Sequence, residues 1–114
     1  MTLTLDSPEI NYDEIMEKIR QFGREAILDK HYTDRLMLCI EELVIQNIHD
    51  YPIRVHAEYS EADEIIDLCI NWGGRPFDPL TEGNQMSAAI IRHLTSDLQY
   101  SYKDENRLRI KLSP

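Results

Sequence analysis

Residues 53–72 read IRVHAEYSEADEIIDLCINW, and their period decides the fold. Ile53, Val55, Ala57 and Tyr59 alternate with Arg54, His56 and Glu58, the two-residue repeat of a strand with one buried face. SEADE then turns the chain, and Ile66, Leu68, Ile70 and Trp72 share one parity against Asp67 and Asn71. An antiparallel pair with a single apolar face needs a second layer on that face only. The flanking sequence has to supply it.

Upstream, LTL at 3–5 is a short strand candidate, followed by helix-start signals: Ser7 before Pro8, or Asn11 with Glu14 as a capping box. Ile15, Ile19, Phe22, Ala26 and Ile27 recur at helical spacing. A second helix is expected from near Thr33, with Leu36, Ile40, Leu43, Val44 and Ile48 on one face. It ends at Pro52, whose ring disfavours helix in the residue before it. Downstream, a third helix is expected from about Gln85 to Asp97, buried through Met86, Ala89, Ile90 and Leu94. LQYSY and RLRIKL then form a hairpin across KDEN. The order strand, two helices, two strands, helix, two strands predicts an α+β fold. It is a two-layer α/β sandwich with a mostly antiparallel sheet and helices on one face, built as one domain over residues 1–114.

Composition narrows the function classes. Twenty-one acidic against 12 basic residues give a formal charge of -9, and no run of Lys or Arg offers a footprint for a phosphate backbone, so nucleic acid is not an expected partner. No apolar run has the length of a membrane span, and MTLTLDSPEI lacks the basic start and apolar stretch of a signal peptide. The expected location is cytoplasmic, with no membrane partner. Cys39 and Cys69 each sit in an apolar pattern without a nearby metal-ligand type and read as buried free thiols. His31, His49, His56 and His93 show no metal-ligand spacing.

Four segments carry a resemblance. CIEELVIQNIHDYP in the second helix, GGRPFDP after the second hairpin strand, IIRHL in the third helix and NRLRIKL near the end occur in the order found in the ATPase domain of anti-sigma factor serine kinases. These belong to the GHKL superfamily with the histidine kinases, and the resemblance implies a Bergerat (histidine-kinase-like, HATPase) fold along nearly the whole chain. It also implies what to expect of the site. In that family a helical Glu helps to activate the attacking hydroxyl, and an Asn four residues later ligates Mg²⁺. Here Glu42 takes the first position and Gln46 the second, its amide oxygen displaced by one methylene where Mg²⁺ demands near-octahedral geometry.

The family's Asp-x-Gly accepts a hydrogen bond from the adenine amino group. Its glycine corresponds to Gly74 and its acid to Trp72, while Asn71 stands one residue early with the opposite strand parity. An indole has a donor and no acceptor, so Trp72 is expected to fill the purine site rather than read it. The glycine-rich phosphate turn is matched by QMSAAIIRHL, with Gln85, Ser87 and Ala88 where glycines and their neighbours stand in the family. The segment PLTEGNQ is too short for the family's ATP lid.

The expectation is therefore a degenerate anti-sigma-factor-kinase-like regulatory domain that binds another protein, with ATP binding weak or lost and no cofactor. The family suggests a sigma factor, an anti-anti-sigma protein or a related regulator as partner, and a homodimer. One alternative is an active ATP-dependent serine kinase holding Mg-ATP, with Glu42 as base, Gln46 on Mg²⁺ and Asn71 at adenine. Another is an unrelated α/β module that senses a small ligand.

Overall fold

The computed structural model describes residues 2–7, 12–45 and 53–114. Strand β1 (Thr2–Ser7) leads to helices α1 (Tyr12–Glu25) and α2 (Lys30–Ile40); α2 runs into a π-helical turn, Glu41–Ile45. Strands β2 (Ile53–Ser60) and β3 (Ile65–Trp72) form the hairpin seen in the sequence, α3 spans Gln85–Leu94, and β4 (Asp97–Lys103) and β5 (Glu105–Leu112) close the chain. The strands make one five-stranded sheet in the order β1-β2-β3-β5-β4, and every neighbouring pair is antiparallel.

Parity did its work in this sheet. Ile53, Val55 and Ala57 of β2, Ile66, Leu68, Ile70 and Trp72 of β3, and Leu108, Ile110 and Leu112 of β5 are all buried, while the intervening positions on β2 and β5 are exposed. The helices cover this inner face through Met16, Ile19 and Phe22 of α1, Leu36, Cys39 and Ile40 of α2, Leu43 and Val44 of the π turn, and Ala88 and Ile91 of α3. The opposite face of the sheet, with Arg54, His56, Asp67, Arg107, Arg109 and Lys111, is exposed. The result is a two-layer α+β sandwich with helices on one side. Asp104, at φ 66, turns the β4–β5 hairpin, a conformation that Asp tolerates better than most residues.

Several expected details are corrected. Ser7 belongs to β1 and pairs with Ile53, and α1 is described from Tyr12; Asn11, Ile48, His49 and Pro52 lie outside the described residues. Helix α2 starts at Lys30 rather than near Thr33, because the Asp29 side chain accepts the Tyr32 N–H at 2.8 Å and caps the helix one turn earlier. Helix α3 ends at Leu94 rather than Asp97, where the Thr95 hydroxyl donates back to the Ile91 carbonyl.

The buried face of α3 also differs: Met86 is 76% exposed and Ala89 is exposed, whereas Ser87, Ala88 and Ile91 turn inward. Asn84 caps this helix and fixes its phase, and that phase sets Ser87 against Glu42. Ile27 is not on the apolar face of α1 at all; it is 89% exposed, beyond the helix end. Cys39 is buried as expected, but Cys69 lies on the outer side of β3 and is only half-buried.

Candidate functional site

The positions singled out by the motifs fall around the end of β3, the π turn and the start of α3. The π turn carries Glu42. Reading Glu42 and Gln46 as neighbours on one face assumed α-helical geometry, yet that geometry ends at Ile40 and gives way to i to i+5 spacing through Glu41–Ile45. Gln46 lies outside the described residues. Glu42 itself faces α3, where its carboxylate accepts a hydrogen bond from the Ser87 hydroxyl at 2.5 Å. Two of the expected site residues, far apart in sequence, are thus in direct contact.

The first turn of α3 is closed by its own side chains. The Asn84 carboxamide oxygen accepts the N–H groups of Met86 at 2.9 Å and Ser87 at 3.1 Å. Gln85 turns back and donates to the carbonyls of Thr81 and Gly83, tying down the loop that enters the helix. A helix N-terminus attracts anions through unpaired N–H groups and the positive end of its dipole. Here an amide oxygen takes two of those donors and a neighbouring carboxylate, Glu42, supplies negative charge on the Ser87 side. With Ser87 only 5% exposed, bare glycine backbone is replaced by a packed side chain.

Trp72 is 1% exposed on the inner face, in register with Ile53 on one side and Asn106 on the other, and its ring sits 6.3 Å from that of Tyr100. Asn71 points the other way, as its parity requires: its carbonyl oxygen accepts from Arg107 Nε at 3.0 Å on the exposed face and its amide donates to Cys69 Sγ. A contact between Asn71 and a ligand on the Trp72 side would need a bulge, and β3 pairs without interruption from Ser60↔Ile65 to Ile53↔Trp72. Gly74 is exposed at φ 86, a left-handed conformation that glycine adopts without the steric cost other residues bear.

The residue that organises the loop after β3 was missed. Asn106, 0% exposed, donates to the carbonyls of Gly73 and Arg75 at 3.1 Å each and more weakly to that of Trp72 at 3.4 Å. Its oxygen accepts the Phe77 N–H at 2.9 Å and the Tyr100 hydroxyl, which in turn also accepts from Phe77. Burial raises the pKa of the Tyr100 phenol, so it stays a donor in this knot. A signal was available: Asn106 shares the parity of Leu108, Ile110 and Leu112 and is the one polar residue on that apolar series.

Chemically, the region offers a carboxylate already held by a hydroxyl, a capped helix end and an indole in the core. Among the described residues, no group of three or more His, Cys, Asp or Glu is placed to hold a metal ion, and no helix is long and apolar enough to cross a membrane. On the family pattern Mg²⁺ would rest on Gln46, which lies outside the described residues, and the Glu42 carboxylate that would act as base is turned to Ser87. No family model and no curated protein matches the chain.

Proposed function

We propose that this chain is a degenerate Bergerat-fold domain of the anti-sigma-factor-kinase type, which acts by binding another protein and no longer uses ATP. The element order, one strand, two helices, a hairpin, a helix and a final hairpin, supports the resemblance drawn from the sequence motifs. The observation that carries the loss of ATP is the α3 N-terminus. Its N–H groups meet Asn84, its first-turn Ser87 meets Glu42, and a phosphate placed there would face the carboxylate at short range. Trp72 supports the same conclusion from the adenine side, since a buried indole at the acid's position removes the acceptor and fills space. Phosphate and adenine contacts are separate parts of one binding free energy, so weakening both lowers affinity multiplicatively.

A thermal-shift titration with Mg-ATP and Mg-ADP tests this reading. A ligand at a hundred times its Kd adds about 2.7 kcal/mol to folded-state stability, several degrees for a domain of this size. The expected result is no shift at millimolar nucleotide and no phosphate transfer to a seryl protein. A saturable shift, or transfer abolished by Glu42→Ala, overturns the proposal.

A further inference from the structure

The junction of α1 and α2 carries an arrangement that packing does not explain. Helix α1 ends in a Schellman motif: the Leu28 N–H donates to the Gly23 carbonyl at 2.9 Å and the Ile27 N–H to that of Arg24 at 3.2 Å. This motif needs a left-handed residue after the helix end and favours glycine there, yet the position is held by Ile27 at φ 55. A β-branched residue in that conformation is a true outlier. Its side chain is also 89% exposed, so no core contact offsets the strain. A strained backbone at an exposed residue, with nothing in the fold to offset it, points to a use outside the fold.

Leu28, the residue after Ile27, lines an open groove of about 390 Å³ between the two helices, with Ile27 at its edge rather than in its lining. Its floor is close-packed, since a Cβ on Gly23 would lie 2.5 Å from the Thr33 hydroxyl oxygen. Its apolar lining is Leu28 and Met37, and its charged lining is Arg20, Arg24 and Lys30 against Asp34. Arg20 and Arg24 share a single counter-charge, Glu17, and Lys30 has no ion pair or hydrogen bond among the described residues. In a chain of formal charge -9 this is a locally cationic, partly apolar channel beside an exposed isoleucine.

We infer that the α1–α2 groove is a docking site for an acidic amphipathic helix of a partner protein, with Ile27 as the apolar anchor and Arg20, Arg24 and Lys30 as the charge guides. A helix laid in a groove is held by apolar residues at i, i+3, i+4 and i+7, and carboxylates beside that stripe would meet the cationic lining. Glycine at position 27 would relieve the backbone and lose the anchor. This inference rests on the chain being a protein-binding domain and names the face and the partner chemistry.

The test uses the full chain and a fluorescein-labelled synthetic amphipathic helix with leucines at helical spacing and glutamates between them, followed by anisotropy. A matched helix with lysines in place of the glutamates is the control. The acidic helix is expected to bind saturably and the lysine helix not. Ile27→Gly is expected to weaken binding by about tenfold or more, as loss of an anchor does, while its melting temperature stays level or rises. Misfolding is thereby excluded as the cause. Lys30→Glu is expected to weaken binding as well.

The inference is overturned by no saturable binding or by equal binding of Ile27→Gly. It is overturned equally by equal affinity for the two helices. Ile27-dependent self-association would assign the groove to a second copy, and Ile27-dependent binding to phosphatidylserine vesicles would assign it to a lipid surface; either refutes a helical protein partner. Mg-ATP titrated on the same sample separates the two levels. A nucleotide shift with intact helix binding sinks the proposed loss of ATP and leaves the groove standing, whereas absence of both sinks only the groove.

Discussion

Replacing Asn106 with alanine removes a buried side chain that ties together the end of β3, the loop after it and β4. The change deletes donors to the Gly73 and Arg75 carbonyls and the acceptor for Phe77 N–H and the Tyr100 hydroxyl. At about 1 kcal/mol net for each of these four bonds, the sum is about 4 kcal/mol. Arg75 is exposed and Gly73 half-buried, so water can reach those carbonyls, and Phe77 keeps its bond to Tyr100. We therefore expect a loss of about 3 kcal/mol, a large part of the 5–15 kcal/mol typical of a whole domain.

Urea unfolding followed by Trp72 emission measures it, with the midpoint falling at unchanged slope. Asn106→Asp sharpens the reasoning. It preserves shape and acceptors but sets a carboxylate against three carbonyl oxygens, so folding must raise its pKa. Its deficit should be smallest below the unfolded Asp value of about 3.9 and grow as pH rises through the higher folded value. A loss below about 1 kcal/mol for Asn106→Ala, within the range of a single net hydrogen bond, would refute the account of Asn106 as the organising residue. So would an Asp variant whose deficit is flat with pH.

Trp72→Ala should cost about 3–5 kcal/mol, the usual effect of emptying a large aromatic site, and wild-type Trp72 emission should be blue-shifted and redden on unfolding; near-neutral behaviour would show that the indole packs against little. Ile27→Gly should stabilise the chain by roughly 1 kcal/mol, the left-handed penalty of a branched residue less the extra entropy glycine loses, and a clear loss in a urea midpoint would contradict the strain. Burial pushes the Cys39 thiol from 9.0 up to about 12 and also raises the Tyr32 phenol. The folded chain therefore holds protons that the unfolded chain releases, so stability should fall as pH rises from 9.0 towards about 12; Cys39→Ala should flatten part of that slope in alkaline urea titrations.

Local periodicity carried the sheet. The apolar inward residues of β2, β3 and β5 were readable because strand parity is a property of adjacent residues and survives whatever packs on top. Trp72 and Asn71 were assigned to opposite faces on that basis, and they lie there. Helix phase was less legible: α3 turned inward through Ser87, Ala88 and Ile91 because the Asn84 cap and the Glu42 contact set its rotation, and neither is visible in an apolar count. The same limit placed Ile27 in the core, since its spacing fits α1 while the chain has already turned left-handed after Glu25.

What the sequence determined by itself is the layer that repeats every two residues, the order of elements and the polar residues that interrupt expected motifs, because each depends only on neighbours along the chain. Tertiary structure alone decided that Ser87 meets Glu42 across 45 residues, and that Asn106 gathers the carbonyls of residues 73 and 75. It also decided that Ile27 projects from the fold beside a cationic groove. Those outcomes depend on the distance between elements that sequence spacing does not encode, and a hydrogen bond or a buried contact exists only where that distance closes.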